Sequence, residues 1–232
     1  MTLDPSLLIS AWDAIDRTSY TTASVSPSAN SWLCVDVYSR DDAGGIAAPT
    51  ITGLSLTWTT EFTKTDASGA HQITRAYART GSSPGSGTIT LNWGAATMDG
   101  AGWFVYQLGT DVDPSDPFVQ TLGNTDAGSV TSITVTLAAF GDPANRPLIS
   151  ASHRANEGST PEAGYTEVGD LNGANPLIGF ALAYHPSTTD TTPSYSWATI
   201  GAPAVAVARE MRAAPGGAVV TDPFGMSGFF GG

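Results

Sequence analysis

The chain is expected to fold as an all-β, jelly-roll-like antiparallel β-sandwich with little helix. Large apolar residues alternate with small or polar ones at period two, in run after run. Clusters of Gly, Pro, Asn, Asp and Ser separate those runs. Charged residues are only 13% of 232, so Thr, Ser, Asn, Gln and Gly must supply most of the polar surface. Thr suits a pleated, half-solvated face, and period-two alternation sends large side chains to one side of a strand.

The elements follow in order. Leu33, Val35 and Val37 alternate with Cys34, Asp36 and Tyr38, and Leu54, Leu56 and Trp58 with Ser55 and Thr57. Ile89, Leu91 and Trp93 alternate with Thr88, Thr90 and Asn92, and Ile133, Val135 and Leu137 with Thr134 and Thr136. Ile178, Phe180, Leu182 and Tyr184 alternate with Gly179, Ala181 and Ala183. These runs and their neighbours predict strands near 20–25, 31–39, 50–59, 70–79, 87–93, 102–109, 117–121, 130–138, 146–152, 177–184, 194–200 and 203–211. Gly102 to Leu108 has bulk on both faces and reads as a central, doubly covered strand. Turns are expected at 26–30, 41–45 and 81–87, where residues that favour turns or tolerate positive φ gather. Leu7 to Ile15 is the main helix candidate, with a helical turn near Ala138 to Asn145 limited by Gly141 and Pro143. Residues 156–176 read as a surface excursion or an open hairpin. No internal repeat stands out. The expected organisation is a single β-sandwich domain over 1–212 and a Gly/Phe-rich tail over 213–232.

Charge and cysteine usage narrow the function classes. The formal net charge is −12, and the nine basic residues form no stripe. Binding to nucleic acid or an anionic membrane surface needs such a cluster. Cys34, the one cysteine, stands in an apolar run and reads as a small buried hydrophobe. No signal peptide or transmembrane stretch is evident.

Catalytic signals are sparse. His71, His153 and His185 lie in different predicted strand regions, far apart in sequence and without metal-ligand spacing. The Ser-rich chain has no nucleophile elbow, and no phosphate-cradling glycine loop occurs. Glu61, Glu157, Glu162 and Glu167 could form a glycosidase-type carboxylate pair only through folding. Asp111, Asp113 and Asp116 are the best metal candidates, because alternating carboxylates on a loop can offer oxygen ligands to Ca²⁺. The competing reading is an Asp-Pro turn. Asp13 and Asp16 read as solvated surface. Six tryptophans raise a carbohydrate-binding reading if two or three are exposed in a row. In the tail, Phe224, Met226, Phe229 and Phe230 are candidate partner-binding anchors.

Several segments run in a familiar order: Ala23-Ser24-Val25-Ser26-Pro27 through Trp32-Leu33, Pro49 through Leu54 with Leu56-Thr57-Trp58, Arg75-Ala76-Tyr77-Ala78, Ser86 through Leu91, Trp103 through Asp111, and 178–208. The chain thereby resembles a loosely defined group of β-sandwich structural proteins of tailed bacteriophages and prophages, over roughly residues 8–210. The resemblance implies a virion component made in the host cytoplasm, such as a head decoration, spike, neck or tail-fibre module. It carries no site residues with it. The expected function is therefore non-enzymatic. The module would assemble with other virion proteins and with copies of itself. A carbohydrate-binding host-adhesion module is the alternative, and a glycoside hydrolase a lower one. No resident cofactor is expected beyond the Ca²⁺ candidate.

Overall fold

The computed structural model describes residues 3–199 and 202–215. Among them there is no helix, and every strand pairing is antiparallel. The first eight strands are Ser6–Asp13 (β1), Ser19–Thr21 (β2), Trp32–Arg40 (β3), Thr50–Gly53 (β4), Thr59–Thr65 (β5), His71–Arg79 (β6), Ile89–Asn92 (β7) and Gly100–Gln107 (β8). The next eight are Phe118–Val130 (β9), Ser132–Thr134 (β10), Arg146–His153 (β11), Thr160–Pro161 (β12), Thr166–Ala174 (β13), Leu177–Tyr184 (β14), Ser194–Ser196 (β15) and Ala202–Met211 (β16).

The strand order is duplicated. The first half forms sheets β1-β8-β3-β6-β5 and β2-β7-β4, and the second forms β9-β16-β11-β14-β13 and β10-β15-β12. Adding eight to each label of the first pair produces the second. Each half is thus a jelly roll, in which two sheets share eight strands. Details repeat as well. Trp93 follows β7 and donates its backbone N–H to Thr18, while Trp197 follows β15 and donates to Thr131, both at 2.9 Å. A bulge at Glu61 sits opposite Ala76 and Arg75, and one at Val168 opposite Ala183 and Leu182.

The two five-stranded sheets face each other, and each three-stranded sheet covers the far side of its partner. Three cores fill the resulting four layers. Tyr38, Phe104, Phe180, Leu182 and Val207 belong to the central one. Leu33, Val35, Leu91 and Trp103 fill the first outer core, and Ile149, Ala181, Tyr195 and Trp197 the second. Strands β3, β8, β11 and β14 are therefore buried on both faces. The doubly covered strand expected around Trp103 is β8, and sheets cover both its faces.

The helix expected over Leu7 to Ile15 is instead β1. Its register against β8 slips at Leu8, between the pairs Leu7↔Tyr106 and Ile9↔Val105. The bulge turns Leu7 toward the central core and Leu8 and Ile9 toward the outer one, which breaks strict alternation. Trp12, farther along, needs backbone space. A Cβ on Gly100 would lie 2.5 Å from the Trp12 ring, and one on Gly173 2.6 Å from it.

A buried ionic network crosses the central core. Arg75 on β6 meets Asp36 on β3 at 2.9 Å, and Arg209 on β16 meets the same carboxylate at 3.2 Å. All three are fully buried. Tyr106 donates its hydroxyl hydrogen to Asp36 at 3.0 Å and accepts from Arg209 at 2.9 Å. Arg209 also pairs with Glu61 at 2.9 Å, and Arg75 donates to Ser150 on β11 at 2.7 Å. Two guanidinium groups are thus matched by two carboxylates. Removing one partner of such a pair strands a charge in low dielectric. Asp36→Ala is expected to destabilise the fold by about 3–5 kcal/mol in urea unfolding; a loss within the scatter of surface substitutions would show that the network is not energetically coupled.

Candidate functional site

The three aspartates of the Ca²⁺ candidate do separate local jobs. Asp113 is buried and its carboxylate accepts from the Ser115 backbone N–H at 2.8 Å and the Ser115 hydroxyl at 2.6 Å. Those hydrogen bonds hold its carboxyl below the usual range. Asp116 pairs with Arg212 at 3.0 Å. Asp111 accepts the backbone N–H of Ala214 at its own carbonyl, at 2.7 Å. Among the described residues, no three His, Cys, Asp or Glu side chains come together in a group that could hold a metal ion.

The histidines are dispersed. His71 lies in the central core against Tyr38, 5.8 Å between ring centroids, and burial lowers its pKa to about 3. His153 stacks on Trp197 at 4.5 Å and bonds to Ser159 at 3.1 Å; burial lowers its pKa to about 4. His185 lies edge-on to Tyr165. Cys34 is fully buried, and burial pushes its thiol up to about 12, so it packs as a hydrophobe. Trp32, Trp93, Trp103 and Trp197 are buried, and Trp12 and Trp58 are half-buried. The exposed tryptophan row that a sugar-stacking platform would need is not formed.

One pair of carboxyl groups does come together. Glu162 lies in the turn between β12 and β13, and Asp190 in the loop between β14 and β15. Burial and the hydrogen bond with Asp190 push the Glu162 carboxyl up to about 7. Burial alone would raise Asp190 as well, but hydrogen bonds from Glu162, Thr192 and Tyr165 outweigh it and hold Asp190 low. The two therefore share one proton. Tyr165 donates to Asp190 at 2.8 Å, and Ser194 to Glu162 at 2.9 Å. Carboxyl groups in hydrogen-bond contact leave no space for a glycosidic bond, which needs a separation of about 5 Å or more. The pair ties two loops together. Sequence could not find it, because the partners are brought together only by the β12–β15 pairing.

The surface around Pro215 holds two clefts and exposed apolar groups. The backbone N–H of Ala213 donates to Asn145 at 2.9 Å, so the first residues of the expected tail are stitched to the domain. Pro215, the last described residue, lines a cleft of about 380 Å³ with Val119, Arg212 and Glu210. A second cleft of about 280 Å³ lies on the other side of Val119 and is lined by Phe62, Tyr77 and Phe118 among others. Val119 and Leu122 on β9 are 45% and 42% exposed, two of only four large apolar side chains so exposed among the described residues. Phe224, Met226, Phe229 and Phe230 lie outside the described residues.

No family model, curated protein or solved structure matches the chain.

Stability should report the shared proton. The Glu162 pKa is raised in the fold from its ordinary 4.5 to about 7, so its contribution is full below about pH 4.5 and is lost as pH rises through 7. Glu162→Gln is expected to flatten this part of the stability–pH curve. Identical wild-type and variant slopes between pH 5 and 8 in thermal unfolding would rule out the shared proton.

Proposed function

We propose that the chain is a non-enzymatic structural module of a tailed-phage or prophage particle, which assembles through protein–protein contacts with other virion proteins and with copies of itself. The observation that carries this reading is the surface at Pro215. Pro215 lines a cleft with exposed Val119, and the sequence after it carries Phe224, Met226, Phe229 and Phe230. Exposed apolar side chains on an otherwise polar surface favour association, and aromatic anchors dominate the energetics of such contacts. The occupant we assign to this surface is the Phe-bearing segment of a neighbouring copy. Exchange of equivalent segments between copies is a common route to closed oligomers.

The architecture is compatible with that role. Jelly rolls recur in viral capsid proteins and in lectins, an analogy of fold only. The four-layer block is stiffened by three cores and the ionic network, which suits a particle component.

Light scattering on the full chain is expected to give an oligomer, and the triple variant Phe224→Ser, Phe229→Ser, Phe230→Ser a monomer with unchanged thermal unfolding. An unchanged mass would overturn the arm. Mass spectrometry of purified particles from the encoding phage or induced prophage is expected to find the chain in multiple copies, and its consistent absence there would overturn the virion role.

A further inference from the structure

A cleft of about 300 Å³ opens at one end of the first jelly roll, and Ala214, next to Pro215, is part of its lining. Its walls come from the β2–β3 loop, the ends of β6 and β8, and the segment after β8. Its distinguishing feature is Arg79. The other arginines each reach a carboxylate or backbone carbonyl: Arg17, Arg40, Arg75, Arg154, Arg209 and Arg212 pair with acids, and Arg146 donates to carbonyl oxygens. Among the described residues, Arg79 is the only arginine whose guanidinium has no hydrogen-bond acceptor.

Arg79 is nonetheless held in place. Its guanidinium carbon lies over the Trp32 ring at 5.2 Å. That ring is pinned by its N–H bond to the Asp113 carbonyl at 2.8 Å and by edge contact with Tyr77 at 5.4 Å. Stacking on an aromatic face leaves the planar N–H fork free to grip a carboxylate with two parallel bonds. Asp4, the cleft's own carboxylate, lies near Tyr184; burial and this carboxylate hold that hydroxyl's pKa above its ordinary value.

The rest of the lining is neutral and rich in hydrogen-bonding groups. Ser6, Asn30 and Thr110 line the cleft, and no side-chain hydrogen bond within the described fold occupies them. Asn30 adopts φ 52°, in the left-handed region. Its loop is fixed by Thr80, which accepts the Ser31 N–H at 2.7 Å and bonds the Ser28 carbonyl at 2.8 Å. The Asn30 amide is thus presented by rigid backbone. Pro114 adds an exposed apolar wall, with Leu108 and Val112 buried behind it.

We infer that this cleft binds an acidic monosaccharide unit, with the sugar carboxylate on Arg79, ring hydroxyls on Asn30, Ser6 and Thr110, and the apolar ring face on Pro114. The size supports it, since about 300 Å³ is at the lower end of ligand pockets and suits one sugar rather than a peptide or drug-sized molecule. The chemistry supports it too. A bare carboxylate would use Arg79 and leave the donors and acceptors around it unsatisfied. The proposal does not require the assembly reading: the residues lining the cleft differ from those lining the Val119 clefts, although Ala214 adjoins Ala213 and Pro215 of one of them, and a monomer could bind through it.

Titration calorimetry on the full chain tests the assignment with D-glucuronate, D-glucose, acetate and a glutamate-rich peptide as probes. Saturable D-glucuronate binding is expected, with D-glucose, acetate and the peptide each at least about tenfold weaker, the loss of one charge-assisted contact or of the hydroxyl contacts. Arg79→Gln is expected to weaken D-glucuronate binding about tenfold. Asn30→Gly keeps the left-handed backbone while removing the amide, so it should weaken binding without altering thermal unfolding. The inference is overturned if D-glucuronate does not bind saturably, if both variants bind it as well as the wild type, or if acetate or the peptide binds equally well.

Discussion

The constraint on which this architecture depends is the charge balance buried between the two halves. Asp36 holds Arg75 from its own sheet and Arg209 from the facing sheet, and Glu61 completes the neutrality. The strand registers place Asp36 where the second half has Ser150, Arg75 where it has Leu182, and Tyr106 where it has Arg209. The network is thus asymmetric about an otherwise symmetric interface. Two first halves packed on each other would set Tyr106 against Tyr106 and lack Arg209, leaving Glu61 without its partner. Two second halves would bury Arg209 against Arg209 with no carboxylate. Each mispairing buries uncompensated charge, which is far more costly than replacing an ion pair with apolar groups. In a duplicated fold, where like could pack against like, such a network selects the intended pairing more than it adds stability.

A second constraint acts at the margins of the large sheets. The edge strands β1, β5, β9 and β13 all carry a register shift, whereas the inner pairings β3/β6, β3/β8, β11/β14 and β11/β16 run without one. Bulges on edge strands disrupt the row of free N–H and C=O groups that would otherwise template edge-to-edge addition. Gln120 adds to this on β9, exchanging hydrogen bonds with the backbone N–H and C=O of Ala138. The blunted edges disfavour growth by extension of the sheets.

The sequence made the strands legible wherever one register held. Leu33 to Tyr38 and Ile178 to Tyr184 alternate cleanly, and β3 and β14 lie where that pattern places them. It failed at the bulges. β1 reads as a helix because Leu8 is an extra residue, and β5 and β13 were hidden because Glu61 and Val168 interrupt their alternation. The duplication was hidden for a different reason. What the halves share is register, with Tyr77 matched to Tyr184 and Trp93 to Trp197, while the residues at the interface between them differ in kind. A hint of the ionic network was present in Asp36 and Arg209, each a charge inside an apolar run.

The Arg79 cleft shows why site chemistry was less legible than fold. Nothing about Arg79 in the linear chain separates it from Arg75, four positions earlier on the same strand. Parity puts both on the same face, and position along the strand decides which partner each meets. Arg75 points into the central core and is neutralised; Arg79, at the strand end, meets Trp32 and open space. In a chain of formal net charge −12, a free guanidinium is the exception that long-range electrostatics disfavours for an anionic ligand. Capture of an anion there must therefore rest on contact at short range, within the cleft walls, where the bulk acidic field is screened over about 8–10 Å at moderate salt. That is the physical sense in which Trp32, Tyr77 and Thr80 belong to the site: they touch no ligand, but they hold the guanidinium and the Asn30 amide where short-range contacts can prevail over the field of the whole molecule.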